Sequence, residues 1–259
     1  MAGTVTTEIK KSIAYVTLNR PEQLNSLNRT VLEDLMSAVR ECDQHPQVRV
    51  VVLTGAGEKA FCAGADIKAM NDMDFAGADE FSRLGHQCMS AIENVGKPVI
   101  GMVNGFALGG GFELALACDF LYAADTAQLG LPETKIGLFP GFGGTQRLLR
   151  LVGPARAMEL IFSGRKLKAP VAYEWGIVNK VVAKAELGAA VEATAQELAA
   201  NAPVAIQCAK RVMLKGQEMG LTAGLAFERE TFPICFATQD SKEGFKAFIE
   251  GRPAVFQGK

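Results

Sequence analysis

The sequence predicts an α/β fold, a core of parallel strands and covering helices that continues into an all-helical tail. Three observations carry that reading. Strand-like and helix-like stretches alternate as far as residue 182. Residues 48–54 form an unbroken β-branched run that suits a strand covered on both faces. From Leu187 onward only helical spacing remains.

Taken in order, residues 4–10 and 12–19 alternate as a strand pair joined by a tight turn at Lys11. Residues 28–42 place Val31, Leu32, Leu35, Met36 and Val39 at helical spacing, with Asn28 or Thr30 as the cap. The strand at 48–54 runs into a glycine-rich loop at 55–64. A helix over 78–95 then leads to a second buried strand at 98–103. A short apolar helix over 109–118 and a strand over 119–124 follow. Helices are predicted over 144–151 and 154–163, and a last short strand over 178–182. The tail reads as helices over 188–201, 203–215, 221–237 and 242–250. The break at Asn201-Ala202-Pro203 divides the chain into a core, residues 1–200, and a helical segment, residues 201–259. That segment carries Leu221, Leu225, Phe227, Phe232, Phe236, Phe245 and Phe248, a large apolar load for a thin tail, so it is expected to be an assembly element.

Composition narrows the function. A chain of 259 residues with 49% apolar and 21% charged residues buries a substantial core. A formal net charge of −1 gives no general attraction to nucleic acid or anionic lipid, so an anionic ligand must be held by local groups. Cys42, Cys62, Cys88, Cys118, Cys208 and Cys235 show no C-x-x-C pair, and His45 and His86 make no zinc pattern with them. They read as buried thiols of a reducing compartment. The first residues have neither an apolar core nor an Arg-rich presequence, and a cytoplasmic location is expected. Residues 99–124 are apolar enough to test as a membrane span, but Glu113 and Asp119 inside the run argue for a buried strand and helix.

The chemistry concentrates in three segments. In Asn104-Gly105-Phe106-Ala107-Leu108-Gly109-Gly110-Gly111-Phe112-Glu113, consecutive glycines open a helix at a cost in backbone entropy. Close helix–sheet packing would explain them. So would a ligand approaching the free N–H groups and partial positive charge of the helix start. Glu113, a carboxylate in the first turn of an apolar helix, tips the choice toward a ligand. A second carboxylate, Glu133, precedes the Gly- and Pro-rich loop at 137–144, and two carboxylates in different surroundings can divide acid and base roles. The third segment is Ala63-Gly64-Ala65-Asp66-Ile67-Lys68, where small residues again lead into a short helix. Gly55, Gly57 and Ala60 match a dinucleotide fingerprint, but Phe61-Cys62-Ala63-Gly64 stands where its helix should start.

These motifs, with Asn19-Arg20-Pro21 and Leu24-Asn25, resemble the crotonase (enoyl-CoA hydratase/isomerase) superfamily in order and spacing. The resemblance implies a spiral of ββα turns and a C-terminal helical segment that builds trimers, usually paired into a hexamer. It implies an oxyanion hole on the backbone N–H groups of Ala65 and Gly110. Ala63, Ala65, Asp66, Ile67, Lys68 and Gly110 would line the CoA thioester. Hydratases of the superfamily carry both carboxylates, matching Glu113 and Glu133, whereas isomerases typically keep only the second. The implied activity is therefore enoyl-CoA hydratase, with coenzyme A as part of the substrate and with neither metal nor redox cofactor. A Δ3,Δ2-enoyl-CoA isomerase and a hydratase of cyclic dienoyl-CoA are the enzymatic alternatives. A non-catalytic RNA-binding relative would want a Lys-rich helix, and residues 78–95 offer only Arg83. Two positions depart from the pattern: Glu22 and Gly251 stand where relatives place lysines toward CoA, with Arg252 as a substitute for the second.

Overall fold

The computed structural model describes residues 3–259; Met1 and Ala2, the start of the stretch read for a presequence, lie outside them. Two sheets organise the chain, and the first is six-stranded. Its strands β1 (Val5–Lys10), β2 (Ile13–Leu18), β3 (Val50–Gly55), β5 (Val99–Val103), β7 (Phe120–Ala124) and β10 (Lys180–Val182) lie side by side in that order. The second sheet has four strands in the order β4 (Ala60–Cys62), β6 (Phe106–Leu108), β8 (Gln128–Gly130) and β9 (Lys166–Lys168). The chain climbs by laying one strand in each sheet per turn, β3 then β4, β5 then β6, β7 then β8. That is a spiral of ββα turns. Pairing is parallel except for β1 with β2 and β8 with β9.

Helices cover the spiral. α1 (Arg29–Gln44) packs on β1 and β2 and against α3 (Phe75–Glu93), while α8 (Leu187–Ala199) lies on β2, β3, β5 and β7. Every residue of β3 is buried, as its β-branched run requires. Asn28 caps α1, its side chain accepting from the Val31 N–H at 3.0 Å. The helix predicted from residue 78 starts earlier, because Asp74 caps α3 by accepting from the Gly77 N–H at 2.8 Å. The remaining helices of the core are α2 (Ile67–Met70), α4 (Gly110–Leu116), α5 (Gly144–Val152), α6 (Pro154–Ser163) and α7 (Ala169–Glu174).

The tail comprises α9 (Pro203–Gly216), α10 (Leu221–Thr231), α11 (Pro233–Phe236) and α12 (Gln239–Glu250). The helix predicted over 221–237 is broken at Pro233, which has no N–H to donate and whose ring crowds the preceding turn. Lys210 fastens α9 to the core through the Asp119 carboxylate at 2.8 Å and the Lys97 carbonyl at 3.1 Å. The run 99–124 divides into β5, β6, α4 and β7, and no helix among the described residues is long and apolar enough to cross a membrane.

Candidate active site

The second sheet builds the site. Because β4, β6 and β8 run parallel, the segments leaving them, at Ala63, Gly109 and Leu131, emerge at one end of the sheet. Carboxyl ends of adjacent parallel strands are where α/β sheets place ligands. The loop predicted over 55–64 thus contains a strand, and that strand aims the Ala63-Gly64-Ala65 segment at the glycines of α4. Gly64 has φ +105°, and a Cβ on it would lie 2.8 Å from the Leu108 carbonyl oxygen and 3.5 Å from the Gly110 nitrogen.

Ala65 forms a parallel bridge with Leu27, made by the Leu27 N–H to the Gly64 carbonyl and the Asp66 N–H to the Leu27 carbonyl, both at 2.8 Å. Such a bridge uses the amides on either side of Ala65 and turns its own N–H away. Among the described residues neither the Ala65 N–H nor the Gly110 N–H has a hydrogen-bond acceptor. Each glycine of the triplet has its own reason. Gly109 has φ +52° and abuts the Glu133 carboxyl, Gly110 lies on the Phe142 ring, and a Cβ on Gly111 would strike the Cys62 carbonyl oxygen at 2.0 Å. Close packing therefore accounts for Gly111, and it leaves the Gly110 N–H free.

Glu113 is 2% exposed, and its Oε1 accepts from the N–H groups of Phe142 at 2.8 Å and Gly144 at 2.7 Å. Burial pushes its carboxyl above the usual range, while those two amides and the Arg147 guanidinium favour the carboxylate and oppose the push. Glu133 opens a short 3-10 turn (Glu133–Ile136) after β8. Its Oε2 is buried without a partner among the described residues. Burial chiefly, and the Glu113 charge beside it, raise its carboxyl to about 7, against the pull of its own backbone N–H.

The remaining sequence-predicted residues divide. Asp66 points back into the protein, its carboxylate 3.2 Å from the Arg20 guanidinium, so its side chain anchors the loop. Ile67 and Lys68 are exposed on α2, and Ala63 is half-buried with its N–H on the Leu24 carbonyl at 3.0 Å. The motif around Arg20 and Asn25 proves to be scaffolding. Asn25 is buried, donates to the carbonyls of Ala56 and Ala60 at 2.9 Å, and accepts from the Arg20 N–H at 3.0 Å. Arg252, the expected substitute cation, is already matched by Glu243 at 2.7 and 3.0 Å and by Glu250 at 2.7 Å. Burial pushes the Cys62 and Cys88 thiols up to about 12, which keeps them protonated. Sequence reasoning missed Phe142, Gly144 and Arg147, whose amides and charge hold Glu113. The Gly- and Pro-dense loop ahead of α5 was the available signal.

A family model described as enoyl-CoA hydratase/isomerase matches residues 8–259. The chain belongs to that family. The enoyl-CoA hydratase/isomerase chain is 44% identical over 245 residues to the short-chain-enoyl-CoA hydratase of Clostridium acetobutylicum, covering 95% of this chain and 94% of that one. It is 42% identical over 252 residues to the crotonyl-CoA hydratase of Syntrophomonas wolfei, covering 97% of each. Its fold superposes on the crystal structure of an enoyl-CoA hydratase from Bacillus anthracis with a TM-score of 0.96, at 40% identity, covering 99% of this chain and 100% of that one. These neighbours share the crotonase fold, so the spiral is the family's own architecture.

Proposed function

We propose that this chain is an enoyl-CoA hydratase, adding water across the 2,3-double bond of a trans-2-enoyl-CoA to give a 3-hydroxyacyl-CoA. One observation carries the reading: the buried Glu113 carboxyl and the half-buried Glu133 carboxyl, in unlike surroundings, lie beside two backbone N–H groups that have no acceptor among the described residues. The Ala65 and Gly110 N–H groups receive the thioester oxygen as it gains enolate charge, and each such donor is typically worth about 3–4 kcal/mol of barrier. Glu113, whose charged form two amides favour against the upward push of burial, takes a proton from the attacking water while the water oxygen bonds C3. Glu133, raised to about 7, gives its proton to C2. The water supplies the hydroxyl and the two carboxyls exchange one proton, so no redox partner is consumed.

The backbone of Ala63, Ala65, Asp66, Ile67, Lys68 and Gly110 lines the CoA thioester in this reading, with the Asp66 carboxylate serving Arg20 instead of the ligand. The relatives named for short-chain and crotonyl-CoA hydration make a short acyl chain the first choice. The tail helices assemble a homotrimer or a hexamer of two trimers, supported by their exposed aromatic faces. The cytoplasm is the compartment we favour, supported by six unpaired thiols. Loss of the conjugated enoyl absorbance of crotonyl-CoA tests the activity directly. A protein that left crotonyl-CoA untouched, yet created that absorbance from a 3-enoyl-CoA, would be an isomerase instead.

A further inference from the structure

Phe142 does more than offer an amide to Glu113. Its ring is 4% exposed and meets Phe81 of α3 edge-on, with centroids 5.2 Å apart. It sits in a notch on α3 that exists because residue 85 is glycine: a Cβ on Gly85 would fall 2.1 Å from the ring's Cδ1. The opposite edge bears on Gly110, with Cδ2 and Cε2 3.2 Å from where a Cβ would stand. The Phe142 carbonyl accepts from Arg147 Nη1 at 3.2 Å, and Arg147 is tied to Glu93 in the last turn of α3 by bonds of 3.2 and 3.1 Å. Ser82 of the same helix donates to the Gly141 carbonyl at 2.8 Å. One residue thus touches the carboxylate through its amide and Gly110 through its ring, and α3 holds the whole segment.

We infer that Phe142, seated in the Gly85 notch, is a positioning residue that keeps the Glu113 carboxylate and the Gly110 N–H in register for hydration. The inference rests on the hydratase reading above. Packed interiors transmit displacement because they have few voids to absorb it. Moving a reacting group by ~1 Å can cost about 10²-fold in rate.

The test uses the full chain, crotonyl-CoA, and the variants Gly85→Ala, Phe142→Ala, Phe142→Leu and the Gly85→Ala/Phe142→Ala pair. Gly85→Ala forces the ring from its seat. We expect kcat to fall about 10-fold with KM within about twofold, the pattern of a lost transition-state alignment. The acidic limb of the kcat–pH profile should also move upward, because displacing Phe142 weakens an amide bond that favours the charged form of Glu113. The three atoms nearest that methyl all belong to the Phe142 ring, so adding Gly85→Ala to Phe142→Ala should cost little further activity. Phe142→Leu should retain more activity than Phe142→Ala. Losses that simply add, or a Gly85→Ala protein with wild-type kcat and pH limb, would overturn the proposal. If Gly85→Ala does not fold, an unshifted limb in Phe142→Leu overturns it. A wild-type chain that fails to hydrate enoyl-CoA is a distinguishable result, refuting the hydratase reading and this inference with it.

Discussion

Gly144 gives its N–H to Glu113 Oε1 at 2.7 Å, and the two residues are so close that a Cβ on Gly144 would stand 2.9 Å from Glu113 Cγ and 3.0 Å from Oε1. The glycine that opens α5 is therefore shaped around the carboxylate it holds. Glu113→Gln can still accept both amide bonds through its side-chain oxygen but cannot take a proton. It should stay folded and lose about 10²–10⁴-fold in kcat for hydration. Gly144→Ala pushes the carboxyl aside instead, with about a 10²-fold loss expected. Steady-state kinetics on crotonyl-CoA checks both, and a Glu113→Gln enzyme within threefold of wild type would remove Glu113 from the chemistry.

Glu133 sets an expected pH dependence with a definite sign. Its carboxyl is raised from 4.5 to about 7, so the folded protein favours the neutral form. Acting as the acid it must be protonated, and kcat should fall as pH rises through about 7. The stability linked to this group is present below 4.5 and lost as pH rises through about 7. Glu133→Gln, neutral at every pH, should therefore gain Tm relative to wild type between pH 5 and pH 8 while losing at least about 10²-fold in kcat. A rate that instead climbs through that range would exchange the roles of the two carboxyls.

The tail should associate. Phe248 is 88% exposed, Ile249 83% and Leu221 79%, on helices whose remaining aromatics, Phe232, Phe236 and Phe245, are also open to water. Phe227 is the exception, half-buried with the Arg211 guanidinium 5.7 Å over its ring. Apolar patches of this kind on a lone chain seek a partner surface. Light scattering of the intact chain should give the mass of a trimer or hexamer, and deletion of residues 221–259 should yield poorly soluble, inactive protein. A stable monomeric mass for the intact chain refutes the assembly.

Two glycines should respond oppositely to alanine. Gly111→Ala drives a methyl to 2.0 Å from the Cys62 carbonyl oxygen, so β4 must move, and a loss of about 3 kcal/mol or more is expected. Nothing lies within 4 Å of a Cβ on Gly188, in the first turn of α8, where alanine should add up to about 0.5–1 kcal/mol. Urea unfolding measures both.

Sequence alone determined the elements whose signals are local. The alternation of 4–10 and 12–19, the β-branched run before Gly55, the Asn28 cap and the helical spacing of the tail each needed only their own neighbours. Each formed close to its predicted bounds except the helix over 221–237, which Pro233 divides, and the last helix, which begins at Gln239. Glu113 stood out as a candidate for a similar reason, since a Glu in an apolar first turn asks for a purpose, whereas Glu133 stood out only by its place before the Gly- and Pro-rich loop and as a pair to Glu113. Tertiary structure decided the rest. The strands β4, β6, β8 and β9 are three residues each, too short to show a period, and they exist only because distant segments pair with them. That second sheet brings Ala65, Gly110 and Glu133 to one end. The amides that hold Glu113 come from Phe142 and Gly144, 29 and 31 residues along the chain, and Asp66 turned to Arg20 across 46 residues. No local pattern encodes a partner at such separations. The register of the sheet and the packing of α3 select it, because only in the folded chain does burial make an unpaired amide or carboxyl costly.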